Sequence, residues 1–195
     1  MYYNSSIEDF LNELGSKNST PGGGSAAALT GALNAAVINF IANLTIGKEK
    51  YKDVEKQAKS ILAESNQIKR EMLKMMDQDS KILSKILASY KAGNKAETKN
   101  ICNDAVEFSL DMTKRAVRLM ELTLEISKIG NKMLASDFEV AAYIGDAAVG
   151  SAIANIKINL KSLDDSQYKT NVIKDYTALK DRSSDLKEKI IELAN

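Results

Sequence analysis

A single proline, Pro21, occurs in this chain of 195 residues, and that scarcity constrains the fold more than any other feature. Average usage would give roughly ten prolines in a chain of this length. Proline breaks helices because it lacks a backbone N–H and clashes with the preceding turn. No segment alternates apolar and polar residues for long enough to predict a strand. The sequence therefore predicts an all-α fold: a single-domain helical bundle over residues 1–195, with about five to seven helices, some of them long.

Capping residues and glycines in the sequence predict where these helices begin and end. Ser5 with Glu8 fits a capping box for a short helix that ends at Gly15. The helical pattern of residues 48–91 has no clear stop, and a straight helix of that length would measure roughly 66 Å. A compact globule of this size is roughly 40 Å across. We therefore expect that segment to bend or break.

The second half of the chain follows the same pattern. A helix is expected over residues 96–129, ending before Gly130. Ser136 and Glu139 fit a second capping box, which would open an apolar helix extending to Leu163. Residues 164–166 can cap a final amphipathic helix.

Residues 18–47 carry no charge and include a stretch long enough to span a membrane. Three asparagines, Asn34, Asn39 and Asn43, interrupt that stretch, and alanine takes the place that leucine has in most spans. We therefore expect a buried core helix and no membrane partner. The first ten residues lack the basic and apolar regions of a secretory signal, so the expected compartment is the cytoplasm.

Missing residue types exclude several kinds of chemistry. The chain has no histidine and one cysteine, Cys102, so neither a Ser-His nucleophile pair nor a cysteine zinc site can form, and no metal site is expected. A net charge of +1 gives no general electrostatic attraction for nucleic acid. Catalysis would have to use carboxylates, amines, hydroxyls, amides or the backbone.

The first candidate site is the glycine-rich loop before the uncharged helix, made of Pro21, Gly22, Gly23, Gly24 and Ser25. Successive glycines let backbone N–H groups approach a ligand, and the start of a helix favours an anion. The alternative interpretation is structural: a turn with Ser25 as the N-cap, or glycines required for close helix packing.

The second candidate is Asp79. It lies on one helical stripe with apolar residues such as Met72, Met76 and Leu83, so burial should raise the pKa of its carboxyl group. A raised pKa suits general acid/base catalysis near neutral pH. The alternative is a structural ion pair with a cation from another helix. Asp77 points to nearly the opposite side and is expected to be solvated.

Polar residues also interrupt the apolar helix of the second half. Asn155 and Asn159 are four residues apart and face the same way, and Asp146 precedes them. Such groups either tie helices together, the interpretation we favour, or hold a polar heterocycle. Lys48 and Tyr51, just after the uncharged helix, could meet an anionic ligand, although a solvated lysine is the default.

Several blocks, in order and with matching spacing, resemble the formiminotransferase-cyclodeaminase C-terminal family, which includes stand-alone methenyltetrahydrofolate cyclohydrolases. The blocks are STPGGGSAAALTGAL, LTIGKEKY, DQDSKIL, and GN followed by ASDFEVAA and NIKINL. They extend over residues 10–163. The segment from PGGGS to TxGKxxY is the most specific part.

The resemblance implies a helical homodimer, with a tetrahydrofolate derivative as substrate and no permanently bound cofactor. It implies formimidoyltetrahydrofolate cyclodeaminase activity, in which N10 attacks the formimino carbon and ammonia leaves, and it suggests a separate formiminotransferase as a partner. Methenyltetrahydrofolate cyclohydrolase is the alternative activity. A non-catalytic dimeric helical module is the alternative of another class.

The resemblance also assigns roles to residues. The family's catalytic aspartate, the second of a paired-Asp motif, falls on Asp79. The glycine loop would contact a polar or anionic part of the folate, and Lys48 its glutamate carboxylates. The predicted substrate-binding set is completed by Tyr51, Asp137, Asn155 and Asn159. Two departures stand out: the segment EFSLDMTKRAV lacks a proline that the family usually has, and residues 92–102 are shorter and richer in lysine than expected.

Overall fold

Six α-helices joined by short connections form the protein, which is described here from a computed structural model covering residues 1–164 and 166–195. The helices are α1 (Ile7–Leu14), α2 (Gly23–Asn43), α3 (Glu55–Lys91), α4 (Lys95–Ile129), α5 (Ala135–Leu160) and α6 (Ser166–Ala194). No strand occurs in the described residues. The all-α prediction and the expected number of helices are confirmed.

The uncharged helix α2 buries one side in the bundle, while its other side, with Leu33 and Phe40, is exposed. It packs against α3 and α5, while α4 contacts both of those helices and α6 covers α4 and α5. Small residues allow this close packing: a Cβ on Gly31 would lie only 2.9 Å from Cε of Met72. By length and composition α2 could cross a membrane, but 61% of its most apolar window is buried inside the bundle. Burial of this extent is typical of a core helix.

The expected break in the long helical segment occurs near its start. Residues Glu49–Val54 form a 3₁₀ turn in which Tyr51 leaves helical geometry, with φ −115° and ψ 17°. The chain then continues without interruption through the 37 residues of α3, a length of ~55 Å. The next helix, α4, is almost as long, with 35 residues, and packs against α3.

The predicted capping box at the first helix is wrong by one residue. Ser6, not Ser5, is the N-cap of α1, and its hydroxyl oxygen accepts from the Asp9 backbone N–H at 3.0 Å. Ser5 instead donates to the carbonyl oxygen of Tyr2 at 2.6 Å and closes an N-terminal 3₁₀ turn. The paired serines make the two assignments indistinguishable from pattern alone.

The predicted capping box of the second half is also wrong. A 3₁₀ turn, Lys132–Leu134, leads directly into α5, so Ser136 lies inside the helix and caps nothing. The side chain of Asn131 caps that turn by accepting from the Met133 N–H at 3.2 Å. The helix ends at Leu160, three residues before the expected end. The predicted cap of α6 includes residue 165, which lies outside the described residues.

Candidate active site

The N-terminus of α2 meets α3 at Asp79. A Cβ on Gly24 would lie 1.9 Å from Oδ1 of Asp79, a distance that no side chain can occupy. A Cβ on Gly23 would meet Oδ1 of Asn155 at 3.7 Å, which is an ordinary contact. Of these two glycines, Gly24 is therefore the one that close packing requires, as the structural interpretation of this loop expected.

The carboxylate of Asp79 occupies the position that the sequence suggested for an anionic ligand. The first turn of α2 has unpaired N–H groups and the positive end of the helix dipole. Asp79 accepts hydrogen bonds there from the Ser25 hydroxyl, at 3.0 Å to Oδ2, and from the Ser25 backbone N–H. The helix start thus holds a carboxylate of the protein itself, and the loop's predicted contact with folate stays a prediction.

Burial raises the pKa of the Asp79 carboxyl group above its usual range, and the hydrogen bonds from Ser25 oppose only part of that rise. None of the ion pairs among the described residues includes Asp79. The alternative interpretation, a structural ion pair, requires a cationic side chain bound to Asp79, and none of the described residues supplies one. The arrangement is an isolated acid whose proton affinity is set by burial and one serine.

Ser25 is fully buried and lies within the first turn of α2, so it is not the N-cap, a position that Gly22 takes. Its hydroxyl oxygen lies 2.8 Å from the carbonyl oxygen of Met76, 3.0 Å from Oδ2 of Asp79 and 3.1 Å from the hydroxyl of Ser80. Ser25 has one hydroxyl proton, so it can donate to only one of these three neighbours at a time. Ser25 can donate to an ionised Asp79, or accept from a protonated Asp79 while donating to Met76. Since it is buried, Ser25 can influence a ligand only through Asp79.

A small pocket opens in front of Asp79, between α3, α4 and α5. Its volume is about 80 Å³, enough for the reacting part of a ligand and not for a whole folate. Apolar side chains dominate the wall, and Asp79 is its sole titratable group among the described residues. The wall consists of Gly23, Gly24, Asp79, Ile82, Leu83, Ile86, Ala105, Phe108, Ser109, Asn155, Ile158 and Asn159.

Asn155 and Asn159 reach the pocket from α5, but they do not tie helices together as expected. Their amide nitrogens donate to carbonyl oxygens of their own helix, those of Ser151 and Asn155, both at 2.9 Å. The side-chain oxygen of Asn155 faces Gly23 at the pocket mouth. The expected interhelical tie is made instead by Asp146, which accepts from Ser183 at 2.9 Å and Lys187 at 2.5 Å on α6.

Lys48, Tyr51 and Asp137 lie at the other end of the bundle. Lys48 follows the C-terminus of α2, so it is separated from Gly24 by the length of that helix, ~32 Å. Tyr51 donates to Oδ1 of Asn131 at 3.4 Å, and Asp137 lies in the first turn of α5. Within one subunit the structure does not bring these three residues to the Asp79 pocket.

The structure contradicts the expectation that Asp77 is solvated. Its Oδ1 accepts from the backbone N–H of Tyr2 at 2.6 Å, and its Oδ2 is buried with no hydrogen-bond partner among the described residues. The N-terminal 3₁₀ turn lies over this side of α3. Helical periodicity placed Asp77 away from Asp79 correctly, but it could not show that another segment covers that face.

Sequence reasoning missed the contribution of α4 to the pocket wall. Phe108 and Ser109 line the pocket, and the Ser109 hydroxyl donates to the carbonyl oxygen of Ala105 at 2.8 Å. A serine that bonds its own helix leaves no polar signal in the sequence. Among the described residues, no cluster of three acidic or thiol side chains could hold a metal ion.

Comparison with known proteins shows which family, relatives and solved structure this chain resembles. The formiminotransferase-cyclodeaminase family model matches residues 6–178. A methenyltetrahydrofolate cyclohydrolase of Methylorubrum extorquens is 32% identical over 97% of this chain and 95% of its own length. The formimidoyltransferase-cyclodeaminase of Rattus norvegicus is 25% identical, and this chain spans 32% of its length. The crystal structure of a formiminotetrahydrofolate cyclodeaminase from Thermotoga maritima superposes with a TM-score of 0.94, at 23% identity, covering 99% of this chain and 97% of that one.

Proposed function

Because the chain belongs to the formiminotransferase-cyclodeaminase family, we propose that it is a folate one-carbon enzyme that hydrolyses 5,10-methenyltetrahydrofolate to 10-formyltetrahydrofolate. The observation that carries this proposal is the isolated, partly buried carboxyl group of Asp79 in a pocket wall with no other titratable group among the described residues. Hydrolysis is placed first because the cyclohydrolase relative matches over nearly its whole length.

The chemistry needs a group that both takes and returns a proton. Water adds to the methenyl carbon between N5 and N10, and the ionised Asp79 accepts a proton from that water. The C–N5 bond of the resulting tetrahedral carbon then breaks: protonated Asp79 returns its proton to N5, and the hydroxyl on that carbon releases its own proton to solvent as the formyl C=O forms. A carboxyl group whose pKa is raised by burial is better matched to this exchange near neutral pH than a solvated one.

Asn155 and Asn159 would help to place the substrate. Both line the pocket on the side facing Asp79, and their amide nitrogens are already satisfied within α5. Their side-chain oxygens are therefore the groups that can accept from N–H groups of a pterin ring. In this proposal, the reaction uses no permanently bound cofactor and no metal.

Cyclodeamination of 5-formiminotetrahydrofolate is the second candidate. It is supported by the formimidoyltransferase-cyclodeaminase relatives, which match the same region of this chain. Asp79 would then take the proton of N10 as it attacks and give it to the departing ammonia. This chain spans 32% of the length of the rat relative, and for this activity we propose a formiminotransferase as the source of the substrate.

An absorbance assay of methenyltetrahydrofolate tests both activities on the purified protein. Loss of absorbance from the methenyl compound supports hydrolysis, and its appearance from the formimino compound supports cyclodeamination. If folded protein does neither, the enzyme proposal fails. Calorimetry with 5-formyltetrahydrofolate then tests the remaining alternative, a non-catalytic helical module, which should not bind folate.

We further propose that the protein is a cytoplasmic homodimer in which α2 faces α2 of a second copy. The outward stripe of α2 has no charge, and its centre is apolar: Ala26, Leu33 and Phe40 recur every seven residues, with Leu33 51% and Phe40 48% exposed. Seven-residue spacing is the pattern of paired helices. An antiparallel pair centred on Leu33 would set each Ala26 against Phe40 of the partner subunit, so the surface is self-complementary.

The same pairing would bring Lys48 and Tyr51 of the partner subunit close to the Asp79 site. In an antiparallel pair centred on Leu33, the N-terminal end of α2 lies beside the C-terminal end of the partner's α2. Lys48 of the partner subunit would then approach the glycine loop, although Lys48 of the same subunit is ~32 Å away. The pocket, of about 80 Å³, is too small for a whole folate, as expected of a site that a second copy completes.

A further inference from the structure

A second cavity lies on the side of α3 that faces away from the Asp79 pocket. Its volume is about 630 Å³, and residues 1–2 close it from the N-terminal side. The two cavities have no lining residue in common, so any connection between them must run through side chains and not through open space. From α3, the wall of this outer cavity receives Asp77, Ser80, Lys81, Ser84 and Lys85.

Two serine hydroxyl groups connect the Asp79 carboxylate with the outer cavity. Oγ of Ser25 lies 3.0 Å from Oδ2 of Asp79 and 3.1 Å from Oγ of Ser80. Ser25 is fully buried, whereas Ser80 is 7% exposed and lines the outer cavity. A hydroxyl group can accept one hydrogen bond while it donates another, so a proton can pass along such a chain of oxygen atoms.

The hydroxyl group of Ser80 differs from those of other helical serines in this protein. Ser84 and Ser109 donate to the carbonyl oxygens four residues earlier in their own helices, both at 2.8 Å. Ser80 instead makes its one hydrogen bond among the described residues with Ser25 of α2. A hydroxyl group with a single partner can still exchange a hydrogen bond with solvent that enters the cavity.

The proposed hydrolysis requires an exit for a proton. The methenyl substrate carries a positive charge and the formyl product does not, so each turnover releases one proton. Of the two protons of the attacking water, one passes through Asp79 to N5 and the other must leave the site. The pocket in front of Asp79 has a volume of about 80 Å³ and a largely apolar wall, and the reacting part of the substrate would fill it.

We propose that Ser25 and Ser80 relay this second proton from Asp79 to the outer cavity, an inference that rests on the proposed hydrolysis. Once Asp79 has protonated N5, its carboxylate takes the proton of the hydroxyl group on the former methenyl carbon as the formyl C=O forms. Asp79 then donates that proton to Ser25, Ser25 passes its own hydroxyl proton to Ser80, and Ser80 passes its own to solvent. Asp79 is ionised again, and each serine keeps one proton. Neither serine touches the substrate, so both are positioning residues that act through Asp79.

The relay serves hydrolysis and not cyclodeamination. When N10 attacks a protonated formimino group, the proton that leaves N10 departs with ammonia, and no proton has to be released. The relay therefore makes a prediction about the hydrolytic reaction alone.

The test measures hydrolysis of 5,10-methenyltetrahydrofolate by three variants. Ser80→Ala should lower kcat about tenfold, less than loss of the acid–base group itself, because Asp79 remains. Its KM should not change, since Ser80 lies away from the substrate. Ser80→Thr retains a hydroxyl group and should restore kcat. Ser84→Ala is the matched control: it removes a hydroxyl group from the same cavity wall, one that bonds its own helix, and should keep kcat.

Rates in mixtures of H₂O and D₂O separate a relay from a merely structural contact between α2 and α3. In the wild-type protein kcat should follow a curve as the deuterium fraction rises, because several protons move together. In Ser80→Ala the dependence should be close to a straight line. A serine that only joined two helices would change the melting temperature and leave the shape of this dependence unchanged.

Failure of the relay and failure of the proposed function give different results. A straight line for the wild-type protein overturns the relay and leaves the hydrolysis standing, and this result does not depend on the folding of any variant. The relay is also overturned if Ser80→Ala is as fast as Ser84→Ala, or if Ser80→Thr is as slow as Ser80→Ala. If the folded wild-type protein does not hydrolyse the methenyl compound, the proposed hydrolysis fails and the relay fails with it.

Discussion

Gly24 and Asp79 lie so close that a Cβ atom on Gly24 would be 1.9 Å from the Oδ1 atom of Asp79. The carboxylate of α3 therefore occupies the space that a side chain at position 24 would need. Any residue larger than glycine at that position would displace the carboxylate. This contact joins the two most distinctive features of the sequence, the triple glycine and the lone acid on an apolar stripe.

Gly24→Ala should reduce turnover about 10²-fold, because the new methyl group displaces the carboxylate that we propose moves the proton. Circular dichroism should show an intact helical fold. The matched control is Gly23→Ala, whose methyl group would meet Asn155 Oδ1 at an ordinary 3.7 Å. Equal activity of the two alanine variants would contradict a role for the Asp79 position.

Asp79→Asn should lower turnover by ~10²–10⁴-fold, since the amide cannot exchange a proton. Asp77→Asn is the control, because its amide oxygen can still accept from the Tyr2 N–H and it lies away from the pocket. Steady-state rates of the two variants measure the difference. An active Asp79→Asn enzyme would exclude the catalytic assignment.

The stability of Asp79→Asn should depend on pH in a defined direction. Folding raises the pKa of Asp79 above 3.8, so between 3.8 and the raised value the folded state binds more protons than the unfolded state. The unfolding free energy contributed by this group therefore falls as pH rises through that interval and stays low above it. Relative to wild type, Asp79→Asn should gain stability over the same interval. Urea titrations of both proteins from pH 4 to 8 measure it, and a constant difference would count against the raised pKa.

Ser25→Ala should move the acidic limb of the kcat/KM profile to higher pH. The hydroxyl of Ser25 lowers the pKa of Asp79 by donating to its ionised form, so removing it leaves burial to raise the pKa further. Ser84→Ala is the matched control, because that hydroxyl donates to the Ser80 carbonyl oxygen on its own helix. A limb that stays in place, or moves to lower pH, would show that Ser25 does not tune Asp79.

Leu33→Glu should convert a dimer into monomers, because it would place two carboxylates against each other at the centre of the paired helices. Sedimentation equilibrium at micromolar concentration measures the change. Ile7→Glu serves as the control, since Ile7 is 76% exposed on α1 and lies outside the α2 stripe. A wild-type monomer would end the dimer proposal.

Much of the site could be predicted from sequence because helical periodicity reports which side of a helix a residue occupies. Asp79 was identified from the apolar stripe it interrupts, and burial raises the pKa of its carboxyl group as expected. Periodicity does not report what packs against the opposite side. That is why Asp77 was expected in water, and why Asn155 and Asn159 were expected to bridge helices that they do not reach.

The sequence by itself determined the helical class, because it has one proline and no segment that alternates apolar and polar residues. It also determined that Asp79 is the acid on an apolar helix face. Only the tertiary structure decided that Gly24 packs on that acid and that Asn155 and Asn159 line the pocket in front of it. The reason is physical. Local pattern fixes each helix, but the register between helices depends on side chains far apart in the chain filling a common core.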